Sequence, residues 1–230
     1  MPDRTDPAEQ LIRSWEANAA AWTRTVRSGG IASRKAATDA AIVSAIVGRR
    51  PRRVLDIGCG EGWLVRRLAQ EPGCATIGFD GCPTLIAAAR SSDPGGDYRD
   101  LTYAEFIANP DAVDPGVDVA VFNYALLEGR AVDLLSSAAS RLAPGGVVII
   151  QTLHPWTSAG GSYRDGWRTE DFSAFAGSDE AWTPMPWYFR TLESWLALIR
   201  DAGLAIETLR EPVGETDVPL SLLLVAARTA

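Results

Sequence analysis

The segment Arg53-Val54-Leu55-Asp56-Ile57 runs directly into Gly58-Cys59-Gly60-Glu61-Gly62 and then into Trp63-Leu64-Val65-Arg66-Arg67-Leu68. A short apolar run of this kind reads as a buried strand, and the apolar residues after the glycines read as a helix. Glycines let the chain reverse sharply and let a ligand approach the main chain without meeting a β-carbon. The helix that follows begins with unpaired N–H groups. Few folds place a glycine turn between a buried strand and a helix, and the leading one is a parallel α/β sheet.

The same alternation repeats downstream. Ala75–Asp80, Val117–Phe122 and Val147–Thr152 are predicted strands, and Pro83–Arg90 and Ala131–Leu142 are predicted helices, the latter closed by Pro144-Gly145-Gly146. Ahead of the glycine turn, residues 8–27 carry Leu11, Ile12, Trp15, Ala19 and Trp22 at helical spacing up to Gly29-Gly30, and a second helix is expected from about Ser33 to Val47. Residues 154–190 show no clear period. A helix over Leu192–Arg200 and strands near Leu204–Leu209 and Ser221–Ala226 complete a doubly wound, mostly parallel sheet.

Bulk properties narrow the function. With 230 residues the chain has room for one sizeable α/β domain. Its net charge is −7, from 22 basic and 29 acidic side chains, which disfavours nucleic acid as a partner. The only basic clusters are short, Arg49-Arg50 with Arg52-Arg53, and Arg66-Arg67. Three cysteines without ligand spacing and a single histidine argue against a zinc site, so no metal is expected. The polar, acidic start is unlike a signal peptide, and the apolar run Leu220–Ala227 is too short to span a bilayer. A cytoplasmic monomer or homodimer is the expectation.

Asp80 ends the next strand, 22 residues after Gly58, where an acid can accept both hydroxyls of a ribose. The glycine turn by itself leaves the nucleotide-type cofactor open. Its spacing is G-x-G-x-G rather than G-x-G-x-x-G, with Asp56 before it and Glu61 inside it. Those acids would repel a pyrophosphate and would suit a ligand carrying an ammonium and a sulfonium.

With these residues in view, Val54-Leu55-Asp56-Ile57-Gly58-Cys59-Gly60-Glu61-Gly62 resembles the first motif of class I S-adenosylmethionine (SAM)-dependent methyltransferases. Gly78-Phe79-Asp80 is similar to the family's ribose-binding segment, and Asp100-Leu101 to its adenine-binding pair. Phe122-Asn123-Tyr124-Ala125-Leu126-Leu127 falls at the family's position beside the methionine part and the methyl group. Leu142-Ala143-Pro144-Gly145-Gly146 resembles the turn before the fifth strand, with Ala143 in place of the usual basic residue. The resemblance covers residues 50–152 and extends more loosely to the C-terminus. It implies a Rossmann-like sheet of seven strands whose last strand is antiparallel. It also implies SAM as cofactor, held by Asp56, Gly58, Cys59, Gly60, Asp80, Gly81, Asp100, Leu101, Asn123 and Tyr124. Arg34 is a candidate for the methionine carboxylate. The plainer alternatives are that Asp56 caps the turn, Asp80 is a loop acid, Asp97 replaces Asp100, and Asn123 caps a helix; Cys59 and Cys82 read as packing residues.

The resemblance divides the chain into an N-terminal helical flap (1–49), a SAM-binding core (50–152), a substrate-side insertion after the fifth strand (153–190) and closing elements (191–230). Of the 8 Trp, 5 Tyr and 6 Phe, nine fall in the insertion. Such a segment at the carboxyl edge of the sheet would make a dry, mostly apolar pocket, or a small packed subdomain. His154 is the candidate general base, histidine being the side chain suited to proton transfer near neutral pH. Trp22, Trp156, Tyr163, Arg168, Tyr188 and Arg190 are the candidates for orienting a small-molecule acceptor through which an O or N atom is methylated. An RNA or protein methyltransferase, a non-catalytic SAM-binding subunit and a nicotinamide-dependent oxidoreductase are the competing readings.

Overall fold

The computed structural model describes residues 6–175 and 181–229. Two helical segments come first. Helix α1 (Pro7–Arg27) starts at Asp6, whose carboxylate accepts the Ala8 N–H, with Pro7 preset for the first turn. The predicted second helix divides into a π-helical turn, Arg34–Thr38, and α2 (Asp39–Val47).

The sheet is built from β1 (Arg53–Ile57), β2 (Ala75–Asp80), β3 (Asp97–Asp100), β4 (Val117–Asn123), β5 (Leu142–Leu153), β8 (Leu204–Arg210) and β9 (Ser221–Arg228). Its order is β3-β2-β1-β4-β5-β9-β8. Strands β1 to β5 are parallel, and β9 runs antiparallel to both β5 and β8. Helices α3 (Trp63–Leu68), α4 (Pro83–Ser92), α5 (Tyr103–Ala108), α6 (Val132–Ser140) and α7 (Leu192–Asp201) make the crossovers and cover the sheet. The sheet separates two apolar layers. Leu55, Ile57, Phe79, Phe122 and Ile150 face α5, α6 and α7; Val54, Val121, Ile149 and Leu223 face α2 and α3. This is the expected seven-stranded Rossmann-like architecture, antiparallel strand included.

Four further features depart from expectation. Strand β3 and helix α5 carry too little apolar sequence to announce themselves: only Tyr98 is buried in the one and only Phe106 in the other. Helix α6 ends at Ser140, because Leu142–Gly146 already belongs to β5. The insertion contains a second, two-stranded sheet, β6 (Gly166–Glu170) against β7 (Met185–Phe189), with residues 176–180 between them lying outside the described residues. Among the described residues no helix is long and apolar enough to cross a membrane.

Candidate active site

The carboxyl edge of the sheet collects the candidate cofactor residues, because β1, β2, β3 and β4 all end there. Asp56 is 3% exposed, and its Oδ1 has no hydrogen-bond partner. Burial, reinforced by the charge of Asp80, pushes its carboxyl up to about 8. A buried acid without a partner is costly to ionise, and a bound cation would favour its charged form. Asp80 is fixed by two N–H groups, from Gly60 to Oδ2 and from Cys82 to Oδ1, both at 2.9 Å. Burial raises its pKa, partly opposed by those bonds.

The glycine turn is shaped by its neighbours. Gly58 has φ +75°, and a β-carbon there would lie 2.7 Å from Ala125 Cβ and collide with the Tyr103 hydroxyl. Gly60, at φ +57°, is open except toward Trp22, whose indole nitrogen would sit 3.7 Å from a β-carbon. Trp22 therefore lies over the turn. The helix that carries it is held down at both flanks: Glu16 accepts from Cys82 Sγ at 3.0 Å and bonds the Thr84 hydroxyl, while Asn18 is bound to Thr183.

Glu61 does not act as the turn's second free acid. It is 1% exposed and paired with Arg27 Nε at 2.9 Å and Arg66 Nη2 at 2.7 Å. Its charge is balanced by two arginines, so the acids of the turn without a basic partner are Asp56 and Asp80. Cys59 and Cys82 are buried, and burial raises both thiols, Cys82 to about 12. Neither is a nucleophile at neutral pH.

Asp100 is exposed at the end of β3 and stands beside Asp80 in register. Asp97 pairs with Ile77, three residues back from the edge, and is bound to Arg99 at 2.8 Å. Of the two acids, Asp100 is the one at the edge. The Leu101 N–H donates to the Asp80 carbonyl at 3.2 Å, and Gly81 packs against Thr102. Tyr124 adopts φ +56°, a strained conformation for a bulky residue, and its N–H donates to the Gln151 carbonyl at 2.7 Å. Arg34 is bound to Asp39 at 2.8 Å and stacks on Trp63, the first residue of α3, at 4.2 Å. Asp56, Asp80 and Asp100 thus stand on three adjacent strands toward the carboxyl edge, whereas Arg34 is already paired with Asp39.

The acceptor candidates separate into three groups. Tyr188 and Arg190 meet the loop after β4. The Tyr188 N–H donates to the Leu127 carbonyl at 2.8 Å, and its ring lies against Gly129. Arg190, 5% exposed, donates to the Leu126 carbonyl at 3.4 Å and to that of Glu128, between the rings of Tyr188 and Trp195. Tyr163 and Arg168 brace the insertion instead. The Tyr163 hydroxyl accepts the Leu192 N–H at 2.9 Å, and Arg168 binds the carbonyls of Ser158, Ala159 and Ser162. Trp156 is 74% exposed.

His154 was expected as a general base. In the structure Nε2 meets Glu211 Oε1 at 2.7 Å, and Nδ1 accepts the Trp156 N–H at 3.3 Å. Both ring nitrogens are engaged, and a base role would require one of these partners to be displaced. A residue without any sequence signal, Gln151, occupies the edge beside Asn123 with all of its amide bonded.

A family model described as a methyltransferase domain matches residues 32–209. Trans-aconitate 2-methyltransferase of Mycobacterium tuberculosis is 37% identical over 115 residues, 48% of this chain and 40% of the relative. The chain thus matches under half the length of such curated relatives. A SAM-dependent methyltransferase structure from Mesorhizobium loti aligns with TM-score 0.56 and 26% identity over 76% of this chain and 90% of that one. The 1,6-didemethyltoxoflavin-N1-methyltransferase of Burkholderia thailandensis, solved with that compound and S-adenosylhomocysteine, has TM-score 0.68 and 19% identity over 100% of this chain and 93% of that one.

Proposed function

The chain belongs to the methyltransferase-domain family, and from that premise we propose that it transfers a methyl group from SAM to an oxygen or nitrogen of a small metabolite. The observation that carries this reading is the partnerless, buried Asp56 oxygen beside the glycine turn. Asp56 would hold the ammonium of the donor, Asp80 its ribose hydroxyls, and Asp100 its adenine amine, while the Leu101 N–H is already bonded to the Asp80 carbonyl. The sulfonium supplies an electrophilic methyl group.

The chain's own task is then to exclude water and to align the acceptor. An open groove beside Leu153, the last residue of β5, is lined by Trp167, Arg168 and Trp187 of the hairpin; Asp56, Asp80 and Asn123 are not among its lining residues. The trans-aconitate relatives support a small-molecule acceptor, and the net charge of −7 weighs against RNA. The test is transfer of a labelled methyl group from SAM to a panel of small carboxylic acids, phenols and amines, with bulk tRNA as comparison. Turnover on at least one small compound is expected. Labelling of tRNA alone, lost steeply with salt, would overturn the small-molecule reading.

A further inference from the structure

Gln151 has every function of its side-chain amide engaged. Nε2 donates to the Thr38 carbonyl at 3.1 Å and to Asn123 Oδ1 at 3.0 Å, and Oε1 accepts from the Ser221 hydroxyl at 3.5 Å. The residue is 1% exposed, and Thr38 and Ser221 are fully buried. A backbone carbonyl only accepts, so the end of Gln151 beside Thr38 is its NH2. The Asn123 atom that meets the same NH2 must be its oxygen. The bonds leave Asn123 a single orientation, with Oδ1 toward Gln151 and the two donors of Nδ2 directed elsewhere. Among the described residues Nδ2 has no hydrogen-bond partner, and Asn123 is half buried at the last position of β4.

The strand register locates that donor. Val54, Val119 and Val121 pack in one apolar layer. Asp56 lies two residues beyond Val54 and pairs with Val121; Asn123 lies two residues beyond Val121 and pairs with Gln151. Side chains alternate along a strand, so Asp56, Asn123 and Gln151 share one face at the carboxyl edge. On that face Asp56 Oδ1 is also without a partner. An acid that takes a cation and an amide that donates to an anion stand on adjacent strands, complementary to a ligand that carries both charges.

We propose that Gln151 is a positioning residue: it holds Asn123 as an N–H donor toward a carboxylate oxygen of the bound ligand. The bond to Thr38 ties this orientation to the π-helical turn ahead of α2, a rare geometry found often at functional sites. The inference rests on the methyl-donor reading. The carboxylate belongs either to the amino-acid end of the donor or to the acceptor, and the two are separable.

Calorimetry with S-adenosylhomocysteine and with 5′-methylthioadenosine, which lacks the amino-acid end, tests it on Gln151→Ala, Gln151→Glu and Asn123→Asp, each checked for folding by its thermal melt. Loss of one hydrogen bond to a charged oxygen should weaken S-adenosylhomocysteine binding about tenfold or more and leave methylthioadenosine within about twofold. If the carboxylate is the acceptor's, both nucleosides bind normally while the acceptor KM rises about tenfold at unchanged kcat. Asn123→Asp, on a half-buried position, keeps the test open should the Gln151 variants fail to fold. Equal losses for both nucleosides, or unchanged binding and unchanged KM, would overturn the proposal. Failure of the unaltered protein to bind S-adenosylhomocysteine would instead count against the methyl-donor reading.

Discussion

The side-chain amide of Asn18 and the backbone of Thr183 exchange two hydrogen bonds, each 2.8 Å long. One residue of α1 thereby fastens the N-terminal helix to the segment leading into β7, and Trp22, one turn further along α1, is held over the glycine turn. Asn18 is fully buried, and removing its amide takes both side-chain partners from the Thr183 backbone. Asn18→Ala is expected to cost about 1–3 kcal/mol. Urea melts check the cost, and limited proteolysis of α1 checks whether the helix has come loose.

Asp80 is expected to bind the donor directly. Asp80→Ala should weaken S-adenosylhomocysteine binding by about 1.5–3 kcal/mol through loss of charge-assisted hydrogen bonds. The substitution also frees the N–H groups of Gly60 and Cys82, so a thermal melt should accompany the calorimetry. Unchanged affinity would remove Asp80 from the site.

Asp56 gives the binding a pH dependence. Its carboxyl, raised to about 8, is neutral in the free protein at pH 7, whereas an ammonium on the ligand favours the carboxylate. Binding should release a proton and tighten as pH rises toward 8, by at most about tenfold per unit. The free protein responds in the opposite sense: folded Asp56 holds a proton that unfolded Asp56 has lost, so stability falls as pH rises from the ordinary carboxylate range toward 8. Asp56→Asn should flatten both profiles, measured by calorimetry and by melts across that range.

Much of the fold was legible because its central strands are continuous apolar runs. Strand β3, Asp97–Asp100, was not, since an edge strand needs only Tyr98 to be apolar. A readable signal for α5 did exist in Thr102-x-x-Glu105, which forms a reciprocal capping box before Phe106. The order and spacing of Asp56, Asp80 and Asp100 made their places toward the ends of adjacent strands legible. The pairing of Glu61 with Arg27 was not, because the partner is 34 residues away on α1. Gln151 left no local trace for the same reason: Thr38, Asn123 and Ser221 converge on it from three other elements.

His154 sits between Glu211 and the Trp156 N–H. These bonds favour an orienting place at the end of β5 over proton transfer. His154→Asn should lower the melting temperature and reduce kcat less than tenfold, with an unchanged pH profile. A loss of about 100-fold, with the acidic limb gone from the profile, would return His154 to the role of general base.

Gly58→Ala tests the turn itself. At φ +75°, with Ala125 Cβ 2.7 Å from the added carbon, the substitution strains the backbone and pushes the loop after β4 away. A destabilisation of about 1–3 kcal/mol is expected, read from denaturant melts.

The central claim is that the glycine turn, Asp56 and Asp80 form a site for SAM. Calorimetric titration of the protein with S-adenosylhomocysteine and with NAD, under the same conditions, tests it most directly. The account predicts saturable binding of S-adenosylhomocysteine that is weakened by Asp80→Ala, and no binding of NAD. Binding of NAD alone would contradict it.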